Sequence, residues 1–228
     1  MKILFMKVKV GIPLDILLDG GIDNDSITNI YGPAGSGKTN ICMVAAHEIF
    51  KEEGKTLYID TEANFSFERA HQIENDFDSF MKSVILKNIY SWKEQRDTIK
   101  KLQVSDEIKL IVVDSLVSLY RLEINNNNYQ EINNQLASQY AILSKIAREK
   151  KIPVLVTNQI YSSEGKIEMT SRFISRYWPK TIIELKKSKG DNNRLAIIRK
   201  HRSLSEGKYI EFEITNNGLK QVGKFKIF

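Results

Sequence analysis

ITNIYGPAGSGKT, residues 27–39, is the stretch on which the fold turns. A short apolar run, Ile27 to Tyr31, leads into Gly32, Pro33, Ala34, Gly35, Ser36, Gly37, Lys38 and Thr39, which satisfy the spacing Gly-x4-Gly-Lys-Thr. A pair of β- and γ-phosphates needs several backbone N–H groups converging on it. Gly35 and Gly37 permit that turn and a close approach, because no Cβ stands in the way. Lys38 adds a point charge, and the Thr39 hydroxyl can ligate Mg²⁺. The stretch therefore predicts a strand, a phosphate-binding loop and a helix from Lys38 to Glu53 that begins with Asn40 in its first turn, with ATP and Mg²⁺ as the cofactors.

Working outward, apolar runs alternate with helical spacing. Ile27 to Tyr31, Thr56 to Asp60, Val84 to Leu86, Lys109 to Asp114 and Pro153 to Asn158 read as strands. Lys38 to Glu53, Phe67 to Asn75, Trp92 to Val104 and Ile132 to Lys150 read as helices. That alternation predicts an α/β fold with a mostly parallel central sheet flanked by helices. After Pro179 the pattern changes. Thr181 to Lys187, Arg194 to Lys200, Tyr209 to Ile214 and Leu219 to Val222 are separated by turn signals and predict a C-terminal antiparallel extension. The asparagine tract between Glu123 and Glu131 reads as a mobile loop.

A phosphate loop also needs a carboxylate on a neighbouring strand to hold the magnesium. Leu110-Ile-Val-Val-Asp114 places Asp114 at the C-terminal edge of a buried strand, where ligands of open α/β sheets sit. The strand ending at Asp60 runs on into Thr61-Glu62, and a carboxylate there can orient an attacking water.

At 228 residues and 42% hydrophobic, the chain reads as one domain over residues 1–228, with a short strand segment in residues 1–25 and no separate N-terminal DNA-binding domain. The opening MKILFMKVKV alternates lysine with apolar residues, which fits a strand and neither a secretory signal nor a membrane span. Cys42 is the one cysteine, so an internal disulfide is excluded and a reducing, cytoplasmic compartment follows. The formal charge of +6 is unevenly spread: residues 141–228 hold 19 Lys+Arg against 8 Asp+Glu, a net +11, while residues 1–140 are net −5. A basic C-terminal third suits a surface facing a polyanion, and DNA is the partner expected.

Gly32 to Asn40, Tyr58-Ile-Asp-Thr-Glu62, Phe65-Ser-Phe-Glu-Arg69, Val113-Asp-Ser-Leu-Val-Ser-Leu-Tyr-Arg121 and Val156-Thr-Asn-Gln159 together resemble the RecA/RadA recombinase core. Arg176-Tyr-Trp-Pro-Lys180 and Arg199-Lys-His-Arg-Ser203 resemble the short archaeal paralogues within that family. The resemblance implies a RecA-like P-loop ATPase core with Glu62 as the water-positioning base, Arg69 packed on the adenine and Gln159 sensing the γ-phosphate. It also implies that Lys200 and Arg202 reach the nucleotide of a neighbouring subunit, hence a homo-oligomer. The implied role is an ATP- and DNA-binding accessory protein of homologous recombination with weak ATPase activity and no strand exchange alone. Contacts with RadA recombinase and a Holliday-junction resolvase are implied too.

Two further readings concern the basic third. In Ser171-Arg-Phe-Ile-Ser-Arg-Tyr-Trp178, Arg172 and Arg176 share one helix face by i,i+4 spacing and are expected to bind DNA phosphates, after a DNA-contacting loop over residues 160–170. Phe173 and Tyr177 share another face, and these two with Trp178 serve either core packing or base stacking. If the strand from Arg194 continues far enough, period-2 geometry sends Lys200 and Arg202 to one side and His201 to the other. The residues alone leave open a KaiC-like nucleotide-gated switch acting on a protein partner.

Overall fold

The computed structural model describes residues 7–163, 166–188, 190 and 192–222, with backbone alone at 161–163, 166–168 and 172. In chain order its elements are β1 (Lys7–Val8), α1 (Ile12–Leu17), β2 (Ile22–Asp23), β3 (Ile27–Gly32), α2 (Lys38–Lys51), β4 (Lys55–Asp60), α3 (Phe67–Ile73), α4 (Phe77–Ser83), β5 (Val84–Asn88) and α5 (Trp92–Lys100). There follow β6 (Ile108–Asp114), α6 (Ser118–Glu123), α7 (Tyr129–Lys150), β7 (Val154–Ser163), β8 (Lys166–Met169), α8 (Arg172–Tyr177), β9 (Thr181–Lys187), β10 (Asn193–Lys200), β11 (Tyr209–Thr215) and β12 (Gly218–Gln221). Residues 1–6 of the expected opening strand, and Lys189 and Asp191 of the expected turn, lie outside the described residues.

The large sheet has the order β12-β11-β10-β9-β3-β7-β6-β4-β5, with β8 paired to the far end of β7. The strand that opens into the glycine loop, β3, is central: Ile27 pairs with Val154 of β7 and Thr28 with Thr181 of β9, both in parallel. Strands covered on both faces read as continuous apolar runs, which is why β6, with Leu110 to Val113, and the Val154 to Val156 start of β7 were visible in the sequence. Period 2 then divides their side chains between two cores. Tyr58, Leu110, Val112 and Leu155 enter the core under α2. Leu57, Ile59, Ile111, Val113, Val154 and Val156 enter the other, against α7. In α7 that face is carried by Ile132, Leu136, Tyr140, Leu143 and Ala147 at helical spacing.

Two differences from the sequence reading have physical causes. The strand β9 is not wholly part of the antiparallel extension. It runs parallel to β3 on one side and antiparallel to β10 on the other, because α8 carries the chain back across the sheet before β9 begins. The asparagine tract forms a closed turn, since short amide side chains bond their own backbone. Asn128 Oδ1 accepts from Asn125 N–H at 2.7 Å and its Nδ2 donates to Glu123 C=O at 2.9 Å, so α7 begins at Tyr129 and not Ile132.

Side-chain caps fix the helices beside the loops that matter. Ser66 Oγ accepts from Arg69 N–H at 3.0 Å at the start of α3, and Ser91 Oγ from Glu94 N–H at 3.2 Å at the start of α5. Among the described residues no helix is long and apolar enough to cross a membrane.

Candidate functional site: a cleft at the strand ends

The glycine loop joins β3 to α2 at the C-terminal edge of the parallel strands. Gly35 has φ 70° and Gly37 φ 97°, the left-handed region in which a side chain is strained, so the loop's turn depends on them. Gly32 is constrained by space: a Cβ there would come within 2.6 Å of Leu185 C=O on β9. Lys38 folds back over the loop, donating to Gly32 C=O at 2.9 Å and Pro33 C=O at 3.0 Å. Burial pushes its pKa down, while Asp114 and Glu62 pull the other way.

Asp114 ends β6 directly opposite Asp60 of β4. Its carboxylate accepts from Thr39 Oγ1 at 2.7 Å, from Tyr58 OH at 3.0 Å and from Thr157 Oγ1. Burial raises its pKa above the ordinary carboxylate range; the three hydroxyls oppose that and the nearby Glu62 charge adds to it. The Asp114–Ser115 peptide is cis.

Glu62 is gripped by three side chains. Ser115 Oγ donates to Oε1 at 2.6 Å, Asn64 Nδ2 to Oε2 at 2.9 Å, and Gln159 Nε2 to Oε1 and Oε2 at 2.8 and 2.9 Å. Asp60 organises the loop that presents it, accepting from the N–H groups of Glu62 at 3.0 Å and Asn64 at 3.3 Å with Oδ1, and of Phe65 at 2.9 Å with Oδ2. Thr61 Oγ1 donates to Ser115 C=O at 2.7 Å and accepts from Ser115 N–H at 2.9 Å, which locks the β4 and β6 ends together. Sequence reasoning missed Asp60, Asn64, Ser115 and Thr157. All four adjoin or lie within motifs already read, but nothing in the spacing says that they turn toward the same carboxylates.

These groups enclose a cleft of about 480 Å³ bordered by Ala34 to Asn40, Glu62, Arg69, Asp114 and Gln159. A larger cavity of about 760 Å³ lies between β5 and α5, bordered by Ile85, Lys87, Glu94 and Asp97, and is distinct from the glycine loop. The chemistry of the smaller cleft fits a magnesium nucleotide. Ser36 Oγ and Asn40 Oδ1 are buried there without hydrogen-bond partners. The left-handed glycines bare the loop's backbone, and Thr39 Oγ1 beside Asp114 Oδ2 supplies the hard oxygens that Mg²⁺ takes. Arg69 stands at the cleft's rim with its guanidinium held by the β11–β12 hairpin, donating to Asn216 C=O at 2.9 Å and Gly218 C=O at 3.3 Å.

The remaining candidates sit elsewhere. Lys200 ends β10, so the strand stops short of Arg202 and the period-2 argument does not reach it; a register shift also falls between Ile198 and Lys200. Lys200 Nζ donates to Arg176 C=O at 2.8 Å, and Arg202 bonds Asp25 Oδ1 at 2.9 Å. The backbone of Arg172 lies in α8 and its side chain lies outside the described residues, as does the tip of the expected DNA-contacting loop at 164–165. Arg176 is exposed, with Phe173 87% and Tyr177 74% exposed beside it, whereas Trp178 packs on the core. Core packing therefore describes Trp178 and not the other two aromatics.

The Rad51 family pattern matches residues 4–222. The chain is 40% identical over 214 residues to a DNA repair and recombination protein RadB of Methanococcus maripaludis strain C5, covering 92% of this chain and 98% of that protein. It is 37% identical over 224 residues to the RadB of Methanobrevibacter smithii, covering 93% and 95%. A crystal structure of the RadB recombinase superposes with a TM-score of 0.83 at 32% identity, over 95% of this chain and 100% of that one.

Proposed function

The chain belongs to the Rad51 family, in its RadB branch of DNA repair and recombination proteins, and on that premise we propose that it is an ATP- and DNA-binding accessory factor with weak ATPase activity. On this reading it does not exchange strands alone, it works beside RadA recombinase and a Holliday-junction resolvase, and it meets DNA through Arg172 and Arg176. The observation that carries the nucleotide half is the convergence of Lys38, Thr39, Asp114, Glu62 and Gln159 on one cleft.

Each residue has a task that its geometry allows. The loop N–H groups and Lys38 bind phosphate, and Arg69 bounds the base. Thr39 and Asp114 would hold Mg²⁺, which supplies charge neutralisation on the phosphate oxygens. Glu62 orients the attacking water. In the free chain Gln159 donates to both Glu62 oxygens, so the carboxylate is masked. An anionic phosphate competes for the same amide N–H groups, and taking them returns an oxygen of Glu62 to the water. Hydrolysis is thereby tied to the presence of a third phosphate.

Lys38→Ala tests this half. Fluorescent-nucleotide titration should show ATP affinity lowered about tenfold or more, or turnover lost, with the thermal midpoint little changed, because Lys38 serves the loop and not a core. Unchanged affinity and turnover would remove the cleft from the account.

A further inference from the structure

Two glutamines occupy positions where α5 and α7 otherwise place apolar side chains. Gln95 lies between Trp92 and Ile99 on the buried face of α5, and Gln139 between Leu136 and Leu143 on that of α7. They are 0% and 2% exposed. A buried amide is costly unless it is bonded. Gln95 Nε2 donates to Leu116 C=O at 3.0 Å and to Gln139 Oε1 at 2.8 Å. A backbone carbonyl only accepts, so it fixes which end of the Gln95 amide faces it, and Gln95 in turn fixes Gln139. Gln95 Oε1 and Gln139 Nε2 are left buried without a partner. Apolar side chains of the same length would fill both positions at little or no cost to stability, so stability alone does not account for the pair.

We propose that Gln95 and Gln139 are positioning residues for Glu62, a buried amide latch that holds the Leu116 carbonyl and, through it, the Ser115 hydroxyl against the carboxylate. The inference rests on the reading of Glu62 as the group that orients water, and it adds two residues that do not border the cleft. Leu116 follows Ser115, whose hydroxyl donates to Glu62 Oε1 at 2.6 Å. The same turn is held from the sheet side. Ser115 N–H donates to Thr61 Oγ1 at 2.9 Å, Leu116 N–H to Thr157 C=O at 3.3 Å and Ser118 N–H to Ser115 Oγ at 3.1 Å. Each peptide unit is planar, so bonds at the Leu116 N–H and C=O fix the planes on both sides of that residue. Neither plane can rotate without losing a bond. Ser115 therefore cannot swing its hydroxyl off Glu62 by turning the backbone at Leu116, and the bond that closes this restraint comes from Gln95, itself oriented by Gln139.

Amide hydrogen exchange and ATPase kinetics on the full chain test the latch. Gln95→Met keeps the length of the side chain and removes its bonds. Exchange at the Ser115, Leu116 and Ser118 amides should quicken about 3- to 10-fold in the ligand-free protein, the worth of one buried hydrogen bond. In parallel kcat should fall about 3- to 10-fold while nucleotide affinity stays within about twofold. Ser115→Ala combined with Gln95→Met should be no slower than Ser115→Ala alone, since both act through one hydroxyl. Trp92→Phe is the control for packing. It removes the Trp92 Nε1 bond to Gln135 Oε1 at 2.7 Å, loosening α5 against α7 away from Leu116, and should leave exchange at 115–118 and kcat at wild-type levels. Where Gln95→Met does not fold, Gln139→Met removes only the acceptor that orients Gln95, and changes of about 2- to 5-fold in the same directions are expected. Unchanged exchange in the glutamine variants, equal loosening in Trp92→Phe, or kcat losses that multiply in the double variant would overturn the latch. A wild-type chain without turnover sinks the hydrolysis reading, and exchange at 115–118 then decides the latch on its own.

Discussion

At the scale of the residue, Ser115 illustrates how a side chain with no motif of its own can govern a motif residue. Its hydroxyl donates to Glu62 Oε1 at 2.6 Å and accepts from Ser118 N–H at 3.1 Å, while its backbone N–H and C=O are both bonded to Thr61 Oγ1. Ser115→Ala should therefore lower turnover about tenfold, the worth of one hydrogen bond to a charged group, while ATP affinity stays within about twofold. Steady-state ATPase assays with a parallel binding titration check this, and an unchanged kcat would release Ser115 from that role. Asp114 gives a prediction of opposite sign for stability and for function. A buried carboxylate with a raised pKa favours the native state when protonated, so its contribution is lost as pH rises from the unfolded value through the native one. Asp114→Asn should raise the thermal midpoint of the ligand-free protein at neutral pH and abolish the Mg²⁺ dependence of nucleotide binding. Calorimetric scans with and without Mg²⁺ nucleotide read both, and a lowered midpoint with Mg²⁺ dependence intact would contradict it.

Among elements, α1 carries a second pH effect. Asp15 Oδ1 accepts from Val10 N–H at 2.8 Å, and its pKa is pushed up to about 6, by burial first and then by Glu48, against the Val10 bond. Because the native state then binds more protons than the unfolded chain between about pH 4 and 6, stability falls as pH rises through that window. Asp15→Asn should flatten that limb of the stability-against-pH curve, leaving the variant relatively more stable above pH 6; a limb of the same slope would exclude Asp15 as its cause. The elements also show what could be read beforehand. The strands β3, β4, β6 and β7 were legible because burial on both faces leaves short, largely apolar segments, unbroken in β6 from Leu110 to Val113, and α2, α5 and α7 because their apolar spacing is sustained. The short helices α1, α4 and α6, of six or seven residues each, carry too few turns to establish a period. The direction of β9 was illegible, since a strand's own sequence does not say which neighbour it joins. The candidate cleft was legible at the glycine loop, Asp114, Glu62, Arg69 and Gln159. The tie of Arg69 to the β11–β12 hairpin was not, being a contact to backbone carbonyls 147 and 149 residues away.

For the whole molecule, the division of charge follows the division of labour proposed for it. The acidic first 140 residues supply the cleft's carboxylates, and the net +11 of residues 141–228 includes α8, β9 and β10. In the isolated chain Lys200 and Arg202 are engaged by α8 and by Asp25, so a role for them at a neighbour's nucleotide requires assembly to displace those partners. Mixing an inactive Glu62→Gln chain with an inactive Arg202→Ala chain should then restore ATPase activity across the interface. No recovery, with wild-type turnover strictly first order in protein, would confine both residues to their own chain. On the proposed function the glycine-loop cleft and the basic third act together on DNA. A salt titration of DNA binding by the wild-type chain, with and without ATP and Mg²⁺, decides this. Log affinity should fall linearly with log salt, at a slope of about −0.9 per phosphate neutralised on duplex or about −0.7 on single strands, and ATP with Mg²⁺ should change the affinity. Affinity that ignores salt, or that is the same whether the nucleotide is present or absent, would contradict it.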